Sequence, residues 1–375
     1  MGAHTVMISR RDIIRLCASL WAAPLIGSIS LSSIVLPSLK AILAKEFPKS
    51  TVRAISPDGT RLCLEDWSER GYPLRVLETA SWRTIYTGHF RCRSYFSSFF
   101  VDGQALFVAG PGGAGENATW WDVVDLASGE HLERRHPFHL HQGNDGLIST
   151  AFDRNLLVMQ TNSSGVHETL ALIEFASQQE ILKVPYATQT REPRRRSGNL
   201  EPANDFGYGI SDDRKILAYS FDHVLLCRRM SDFQILWTRQ LESNLVALPV
   251  VVSASGRHVA ATLTDFKNEY NLAVYDGKTG TELARFPIKG IDGVALSPDG
   301  KLVAIVERVY SKGKILPTIH IYDVSTGERL ASLTHDTIKR GRHQFLEAGC
   351  AVNFTSDAKY LITSGMATRI WSLQN

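Results

Sequence analysis

The sequence predicts an all-β fold built from repeats of one four-stranded unit. Residues 283–300 (LARFPIKGIDGVALSPDG) contain the turn Ser297-Pro298-Asp299-Gly300 between two alternating apolar runs. Proline at the second turn position presets φ to about −65°, aspartate bonds nearby backbone, and glycine accepts the φ that closes the turn. Residues 42–59 (ILAKEFPKSTVRAISPDG) repeat this segment almost position for position. A hairpin that recurs along the chain predicts a repeat protein.

Seven copies of the unit follow one another from Thr51 to the end of the chain. A complete copy has two strands around the first turn, a third strand ending near an acidic residue, a second turn and a fourth strand. The copies open with TVRAIS, SSFF, ISTAF, YGIS, LPVVVS, GVALS and AVNF. Their first turns carry, at the fourth position, Gly59, Gly103, Asn155, Arg214, Gly256, Gly300 and Ala358, at intervals of 42 to 59 residues. A period of about 40–50 residues with four strands is typical of β-propeller blades.

The turns also resemble those of a known superfamily. Residues 275–280 (YDGKTG) and 322–327 (YDVSTG), together with the Ser-Pro-Asp-Gly turns, resemble WD40 and YVTN-type propeller repeats over residues 41–375. The Gly-His and Trp-Asp pairs of regular WD40 units are mostly missing, apart from Gly88-His89 and Trp121-Asp122. The resemblance implies a divergent propeller that serves as an interaction module.

The last copy predicts how the repeats close. It ends after three strands with ATRIWSLQN, which leaves a sheet edge open, and open edges invite aggregation. Upstream of the first copy, residues 42–47 (ILAKEF) align with the outer strand of copy five at residues 283–286. We therefore expect this N-terminal strand to complete the last blade of a seven-bladed β-propeller with four-stranded blades, occupying residues 41–375.

Residues 1–40 have the pattern of an export signal. Residues 9–15 (SRRDIIR) resemble the bacterial twin-arginine (Tat) signal, with Arg10 and Arg11 as its paired arginines. Residues 16–39 contain no charged side chain and are long enough to span a bilayer of about 30 Å. Two interpretations stay open: a signal peptide that is removed, or an uncleaved membrane anchor. Both predict a bacterial protein exported to the periplasm or to the outer face of the inner membrane.

Charge indicates no polyanionic partner. The formal net charge of +3 is small for 375 residues, so we expect no nucleic-acid binding. The densest basic run lies in a polar insertion at residues 186–205 and consists of Arg191, Arg194, Arg195 and Arg196. It predicts either a solvated loop or a surface for an acidic partner. Further insertions occupy residues 310–317 and 335–349, and inserted loops carry function more often than the scaffold does.

One pair of histidines is a candidate metal site. In an extended chain His139 and His141 would point to the same face, and imidazoles suit zinc or copper. No cysteine or further carboxylate stands at a supporting spacing, so surface histidines are the alternative.

The cysteines suggest no redox chemistry. Cys63, Cys92, Cys227 and Cys350 form no C-x-x-C pair, which excludes a thioredoxin-like site and c-type haem attachment. Cys63 and Cys350 fall in blades that should be neighbours, so they form either a disulfide or two buried thiols.

Sequence motifs of catalysis are absent. The sequence has no G-x-S-x-G elbow, no Walker loop and no H-E-x-x-H helix. We therefore predict no catalytic residue, no cofactor, and an exported, non-catalytic propeller that binds another protein or an envelope ligand. The alternative is a periplasmic propeller enzyme, resembling quinoprotein dehydrogenases or lactonases, with a quinone or a metal at the central channel. Its support is the Tat-like signal, because that route often exports folded, cofactor-loaded proteins.

Overall fold

The computed structural model divides the chain into Met1–Ser38 and Leu39–Asn375. It describes residues 39–66, 73–90, 96–99, 103–111, 119–135, 146–153, 156–163, 167–174, 180–186, 208–213, 215–221, 223–243, 245–265, 270–288, 293–311, 314–335, 338–339, 351–365 and 367–374. In these ranges the regular elements are β-strands. Among the same residues we find no helix with the length and apolar character needed to cross a membrane.

The described strands form seven antiparallel sheets, which we number in chain order, and the first strand, β1 (Lys40–Pro48), belongs to the last of them. Sheet 1 contains β2 (Ser50–Ile55), β3 (Arg61–Asp66), β4 (Leu74–Glu78) and β5 (Thr84–Gly88). Sheet 2 contains β6 (Phe96–Phe99), β7 (Ala105–Pro111), β8 (Thr119–Asp125) and β9 (His131–Arg135). Sheet 3 contains β10 (Gly146–Asp153), β11 (Leu156–Ser163), β12 (His167–Glu174) and β13 (Glu180–Tyr186).

The remaining sheets follow the same order. Sheet 4 contains β14 (Tyr208–Ile210), β15 (Ile216–Phe221), β16 (Val224–Arg229) and β17 (Ile235–Gln240). Sheet 5 contains β18 (Val246–Val252), β19 (His258–Thr264), β20 (Tyr270–Asp276) and β21 (Glu282–Pro287). Sheet 6 contains β22 (Gly293–Leu296), β23 (Leu302–Ser311), β24 (Lys314–Asp323), β25 (Arg329–Thr334) and the short β26 (Ile338–Lys339). Sheet 7 contains β27 (Ala351–Phe354), β28 (Tyr360–Ser364), β29 (Ala367–Gln374) and β1.

Apart from β26, which pairs with β24, and β1, which pairs with β29, successive strands lie side by side, so each sheet is built on a simple meander. We call the connections within a sheet ab, bc and cd, and the connection to the next sheet da. Because neighbouring strands are antiparallel, the ab and cd turns lie at one end of a sheet and the bc and da connections at the other. This division decides which side chains can share a site.

The ab turns are held by one recurring side-chain pair. In sheet 6 the hydroxyl of Ser297 donates to Asp299 Oδ1 at 2.7 Å and accepts from the N–H of Leu302 at 2.9 Å. Ser56 with Asp58, Ser211 with Asp213 and Thr355 with Asp357 form the same bond at 2.6 to 2.7 Å. Burial would raise the pKa of Asp299, but these hydrogen bonds outweigh burial and lower it. In the turns expected from the Ser-Pro-Asp-Gly segments, the aspartate is therefore ionised, and its hydrogen bonds keep the turn rigid.

The hydrophobic core lies between neighbouring sheets. The strands β3 (RLCLED) and β19 (HVAATLT), each the second strand of its sheet, are buried along nearly their whole length and are therefore covered on both faces. The layer between sheets 4 and 5 includes Trp237, Val250, Ala273 and Tyr275, all at most 8% exposed. Each fully buried aliphatic side chain stabilises the fold by about 1.5–3 kcal/mol. The packing of sheet on sheet therefore holds the meanders in fixed relative positions.

Sheets contact one another in chain order, and sheet 7 also contacts sheet 1. There the N–H of Val52 donates to Ser364 Oγ at 2.9 Å, and Thr368 Oγ1 donates to the carbonyl of Ser50 at 3.1 Å. The strand β1 pairs antiparallel with β29 from Lys40 opposite Gln374 to Pro48 opposite Ala367, with one irregularity between Leu43 and Lys45. Sheet 7 thus takes its outermost strand from the N-terminal side of sheet 1.

Candidate functional site

The cd turn of sheet 5 is fixed by the carboxylate of Asp276. Its Oδ1 accepts hydrogen bonds from the N–H of Lys278 at 3.0 Å and of Thr279 at 2.8 Å. Gly280 has a φ of 70°, and its N–H donates to the carbonyl of Asp276 at 2.9 Å. Burial would raise the pKa of Asp276, but these hydrogen bonds prevail and lower it. The turn therefore presents the exposed Lys278 from a rigid frame.

The cd turn of sheet 4 has the same shape with different residues. Phe233 takes a φ of 56° where sheet 5 has Gly280. A left-handed conformation costs a residue with a side chain about 1–2 kcal/mol. Arg228 offsets part of this cost by donating to the carbonyl of Phe233 at 2.8 Å. Arg229 pairs with Asp232 at 2.9 Å on the exposed side of the turn.

Gly277 joins sheets 4 and 5 through its backbone. Its carbonyl oxygen accepts hydrogen bonds from Trp237 Nε1 at 2.9 Å and from Cys227 Sγ at 3.5 Å. Its N–H donates to the carbonyl of Arg257 at 2.6 Å. A Cβ at this position would lie only 1.9 Å from the carbonyl oxygen of Gly256. Glycine therefore allows the ab and cd turns of sheet 5 to approach closely, and its carbonyl links sheet 5 to sheet 4.

A cavity of about 1000 Å³ opens between sheets 4 and 5 at the end that carries the ab and cd turns. We call it the seam cleft. The side chains of Ile216, Met230 and Leu236 form the apolar part of its lining, and Gly256 and Gly277 contribute backbone. Its volume is at the upper end of the range for ligand pockets, about 300–1,000 Å³. An apolar lining with charged residues around it suits a ligand that is both apolar and charged.

Basic side chains outnumber acidic ones around the seam cleft. The charged residues of its lining are Asp213, Lys215, Arg229, Arg257, Asp276 and Lys278. On the sheet 4 side, Lys215 Nζ lies 3.1 Å from Asp213 Oδ2, and Arg229 has the carboxylate partner described above. On the sheet 5 side, Arg257 and Lys278 are exposed and form no ion pair with any described residue. That side of the cleft therefore favours an anionic group.

His258 belongs to the lining of the seam cleft and also contacts sheet 6. Its ring packs against Gly300, where an added Cβ would lie 1.8 Å from His258 Nδ1. Burial lowers the pKa of His258, although the nearby Asp276 and Asp299 favour its protonated form. Burial therefore favours the neutral ring, and the lining cations without a described carboxylate partner are Arg257 and Lys278.

A smaller cavity of about 390 Å³ also lies between sheets 4 and 5. Arg285 forms two hydrogen bonds of 2.9 Å with Glu282, and the guanidinium of Arg239 lies 5.7 Å from the centre of the Tyr275 ring. Glu242 adds a second carboxylate to the lining. Because its charges balance, this cavity is a weaker candidate for binding an ion than the seam cleft.

The structure does not describe the site residues that the sequence predicts. Arg10 and Arg11 of the export signal and the candidate ligands His139 and His141 are outside the described residues. The basic run Arg191, Arg194, Arg195 and Arg196 is outside them as well. Within the ranges that the structure describes, no group of three or more histidine, cysteine, aspartate or glutamate side chains could hold a metal ion.

The described cysteines are buried free thiols. Cys63 and Cys227 have no disulfide partner, and burial raises the pKa of both thiols, that of Cys227 to about 12. A thiol with so high a pKa is a poor nucleophile at neutral pH. Cys92 and Cys350 lie outside the described residues. The two described thiols therefore serve packing.

Arg53 forms a buried ion pair. Its guanidinium Nε donates to Glu65 Oε2 at 3.1 Å, and the two side chains are 8% and 0% exposed. A buried pair with so little access to solvent is held for structure, because each charge depends on the other for compensation.

No sequence motif marks the residues of the seam cleft. Trp237 and Gly277 look like ordinary members of a strand and a turn, and they are joined only in the packed structure. One local signal was present. The cd turn of sheet 5 carries Lys278 where that of sheet 6 carries Ser325, so the extra charge is specific to one copy of the repeat.

Comparisons with known proteins agree on the fold. No protein-family model matches the chain, and no curated protein matches its sequence. The chain is similar to the solved Cps50 (Swd1) β-propeller domain of Myceliophteria thermophila, with a TM-score of 0.58 and 12% identity, over 90% of this chain and 100% of that one. It is equally similar to KlHsv2 with loop 6CD replaced by a Gly-Ser linker, with a TM-score of 0.58 and 12% identity over 87% and 97% of the chains.

These likenesses establish the class of fold. Four-stranded antiparallel meanders that pack on one another, together with a solved β-propeller domain as a structural neighbour, define a β-propeller. At 12% identity the likeness concerns the fold, and function has to be argued from the site.

Proposed function

We propose that the chain is a seven-bladed propeller whose ring is closed by β1, and that it works as a non-catalytic binding module. The contacts of the described sheets in chain order, and of sheet 7 with sheet 1, support the ring. The pairing of β1 with β29 supports the closure. Propellers of the WD40 type offer rigid surfaces on which loops and turns of neighbouring blades meet, which suits binding better than chemistry.

The partner is a protein that inserts an acidic, partly apolar segment into the seam cleft. The observation that carries this proposal is the combination of an apolar lining with two exposed cations, Arg257 and Lys278, that have no carboxylate partner among the described residues. A segment with one apolar anchor and a nearby carboxylate would match both features. The apolar anchor supplies most of the affinity, whereas the charges orient the segment and speed its association.

A charge-reversed variant tests this proposal. Arg257→Glu with Lys278→Glu should weaken the recovery of the partner from the native host at least tenfold, because the segment would then meet two like charges. Both side chains are exposed, so the free energy of unfolding should change by no more than about 0.5 kcal/mol. Quantitative mass spectrometry of co-purified proteins measures the recovery, and thermal unfolding measures the stability.

The matched control is Lys301→Glu, which reverses the charge at the ab-turn position of sheet 6 that corresponds to Arg257. Lys301 lies outside the seam cleft, so this variant should keep the partner. Equal recovery of one partner by the wild-type and the doubly reversed protein would contradict the proposed site.

We also propose that the protein is exported through the twin-arginine route. Arg10 and Arg11 in residues 9–15 support this proposal, and residues 16–39 would act as signal or membrane anchor. Replacing both arginines with lysine should retain the protein in the cytoplasm, as measured by fractionation and immunoblotting of cells. Unchanged export of this variant would point to another route.

A further inference from the structure

A hairpin arm extends beyond sheet 6 at the end opposite the seam cleft. β23 and β24 have ten residues each, but β22 pairs with β23 only between Val303 and Val306. β25 pairs with β24 only from Thr318 onward. Residues 308–311 and 314–317 therefore pair with each other beyond the sheet, over a length of about 14 Å at about 3.4 Å per residue.

Pro317 reveals which backbone groups of the arm point outward. It stands opposite Arg308, and because proline has no N–H, this pair cannot exchange two hydrogen bonds. The carbonyl of Pro317 instead accepts the N–H of His335 at 3.1 Å, on the side away from β23. Hydrogen-bonded and non-hydrogen-bonded residue pairs alternate along an antiparallel ladder. Tyr310 and Ile315, two positions from Arg308 and Pro317, therefore also form a non-hydrogen-bonded pair.

The two edges of the arm differ. On the β24 edge, β26 pairs with the arm, with Ile338 opposite Ile315 and Lys339 opposite Lys314. The two insertions that the sequence marks at residues 310–317 and 335–349 thus meet in one small sheet. On the β23 edge, the N–H and C=O groups of Arg308 and Tyr310 point away from β24, and no described strand pairs with them.

We propose that this open edge binds an extended acidic segment of another protein, which adds as a further strand to β23. Main-chain hydrogen bonds to Arg308 and Tyr310 would hold the segment, as in other cases of strand addition. The described residues of the arm and β26 include Arg308, Lys314 and Lys339 and no acidic residue. This charge opposes pairing of two arms from two copies of the chain and favours an acidic strand instead.

The arm is a second surface, separate from the seam cleft. The cleft lies at the end of the sheets that carries the ab and cd turns, whereas the arm extends the bc connection at the other end. A propeller with both surfaces would hold two partner segments at once. The arm proposal can therefore fail while the proposed function stands, and the reverse is also true.

A labelled peptide tests the proposal with the full-length protein. The probe is fluorescein-Thr-Glu-Val-Glu-Val-Glu-Thr, an acidic strand former, and its binding is followed by fluorescence anisotropy at low salt. We expect saturable binding, at least tenfold weaker binding of the counterpart with lysine in place of glutamate, and at least tenfold weaker binding when every peptide amide is N-methylated. Absence of binding by the acidic probe, or equal binding of the N-methylated one, would overturn the proposal.

Two variants at position 310 distinguish binding through the backbone from binding through the side chain. Tyr310→Pro removes an outward N–H without breaking a bond between β23 and β24, and it should lower the affinity at least tenfold. Tyr310→Ala keeps that N–H and should bind within threefold of wild type. Equal affinity of both variants would overturn the proposal. The probe should still bind the double variant Arg257→Glu with Lys278→Glu. If this variant loses binding, the peptide binds at the seam cleft and the arm proposal is overturned.

Discussion

At the scale of single residues, the turns decide how closely neighbouring sheets approach. Gly300 has a φ of 73° and packs directly on His258 of the preceding sheet. Gly327 has nearly the same φ of 72°, yet no atom lies within 4 Å of where its Cβ would be. The two glycines therefore share one conformational role, and only Gly300 has a packing role as well.

This difference predicts unequal effects of the same substitution. Gly327→Ala should lower the free energy of unfolding by about 1 kcal/mol, the cost of a left-handed conformation for a residue with a side chain. Gly300→Ala has the same conformational cost and also forces the His258 ring to move, so it should lower the free energy of unfolding by at least about 2 kcal/mol. Denaturant unfolding of both variants measures the difference. Equal losses would show that the two sheets do not meet through Gly300.

At the scale of elements, the hairpins could be predicted from the sequence because each turn is determined by residues that lie next to one another in the chain. The Ser297–Asp299 bond forms within three residues, so a Ser-Pro-Asp-Gly segment predicts its own turn. β26 escaped prediction because its two residues become a strand only by pairing with Lys314 and Ile315, far away in the chain. The seam cleft could not be predicted for the same reason, since its two walls are joined by the hydrogen bond from Trp237 to the carbonyl of Gly277, which lies 40 residues further along the chain.

The N-terminal strand is the element whose removal should matter most. Deleting residues 41–48 takes away β1 and exposes the edge of β29, whose ladder runs from Ala367 to Gln374. We expect the melting temperature to fall by at least about 5 °C. A loss of about 1 kcal/mol in the free energy of unfolding lowers the melting temperature by roughly 2–4 °C in a domain of 150–250 residues, and losing a paired strand costs more than about 1 kcal/mol. Thermal unfolding followed by circular dichroism measures the shift.

The control for this deletion is a variant that begins at Leu39 and therefore keeps β1. It should melt within about 2 °C of a protein that retains the first 38 residues, since the ladder with β29 is intact. If the variant without β1 melts at the same temperature as this control, the strand does not close the ring.

At the scale of the whole molecule, net charge hides how the charges are distributed. The formal net charge of +3 could not predict two separate basic surfaces. Arg257 and Lys278 stand beside the seam cleft, and Arg308 and Lys314 belong to the arm at the opposite end of the sheets. This separation follows from the meander, which sends ab and cd turns one way and bc connections the other.

Site-specific photo-cross-linking in the native host tests whether the seam cleft receives a partner segment. A photoreactive residue replaces Ser231, which lines the cleft, or Ser325, which holds the same position in the cd turn of sheet 6. Position 231 should cross-link to an acidic segment of one protein, and position 325 should not. Equal cross-linking from both positions, or none from position 231, would contradict the account.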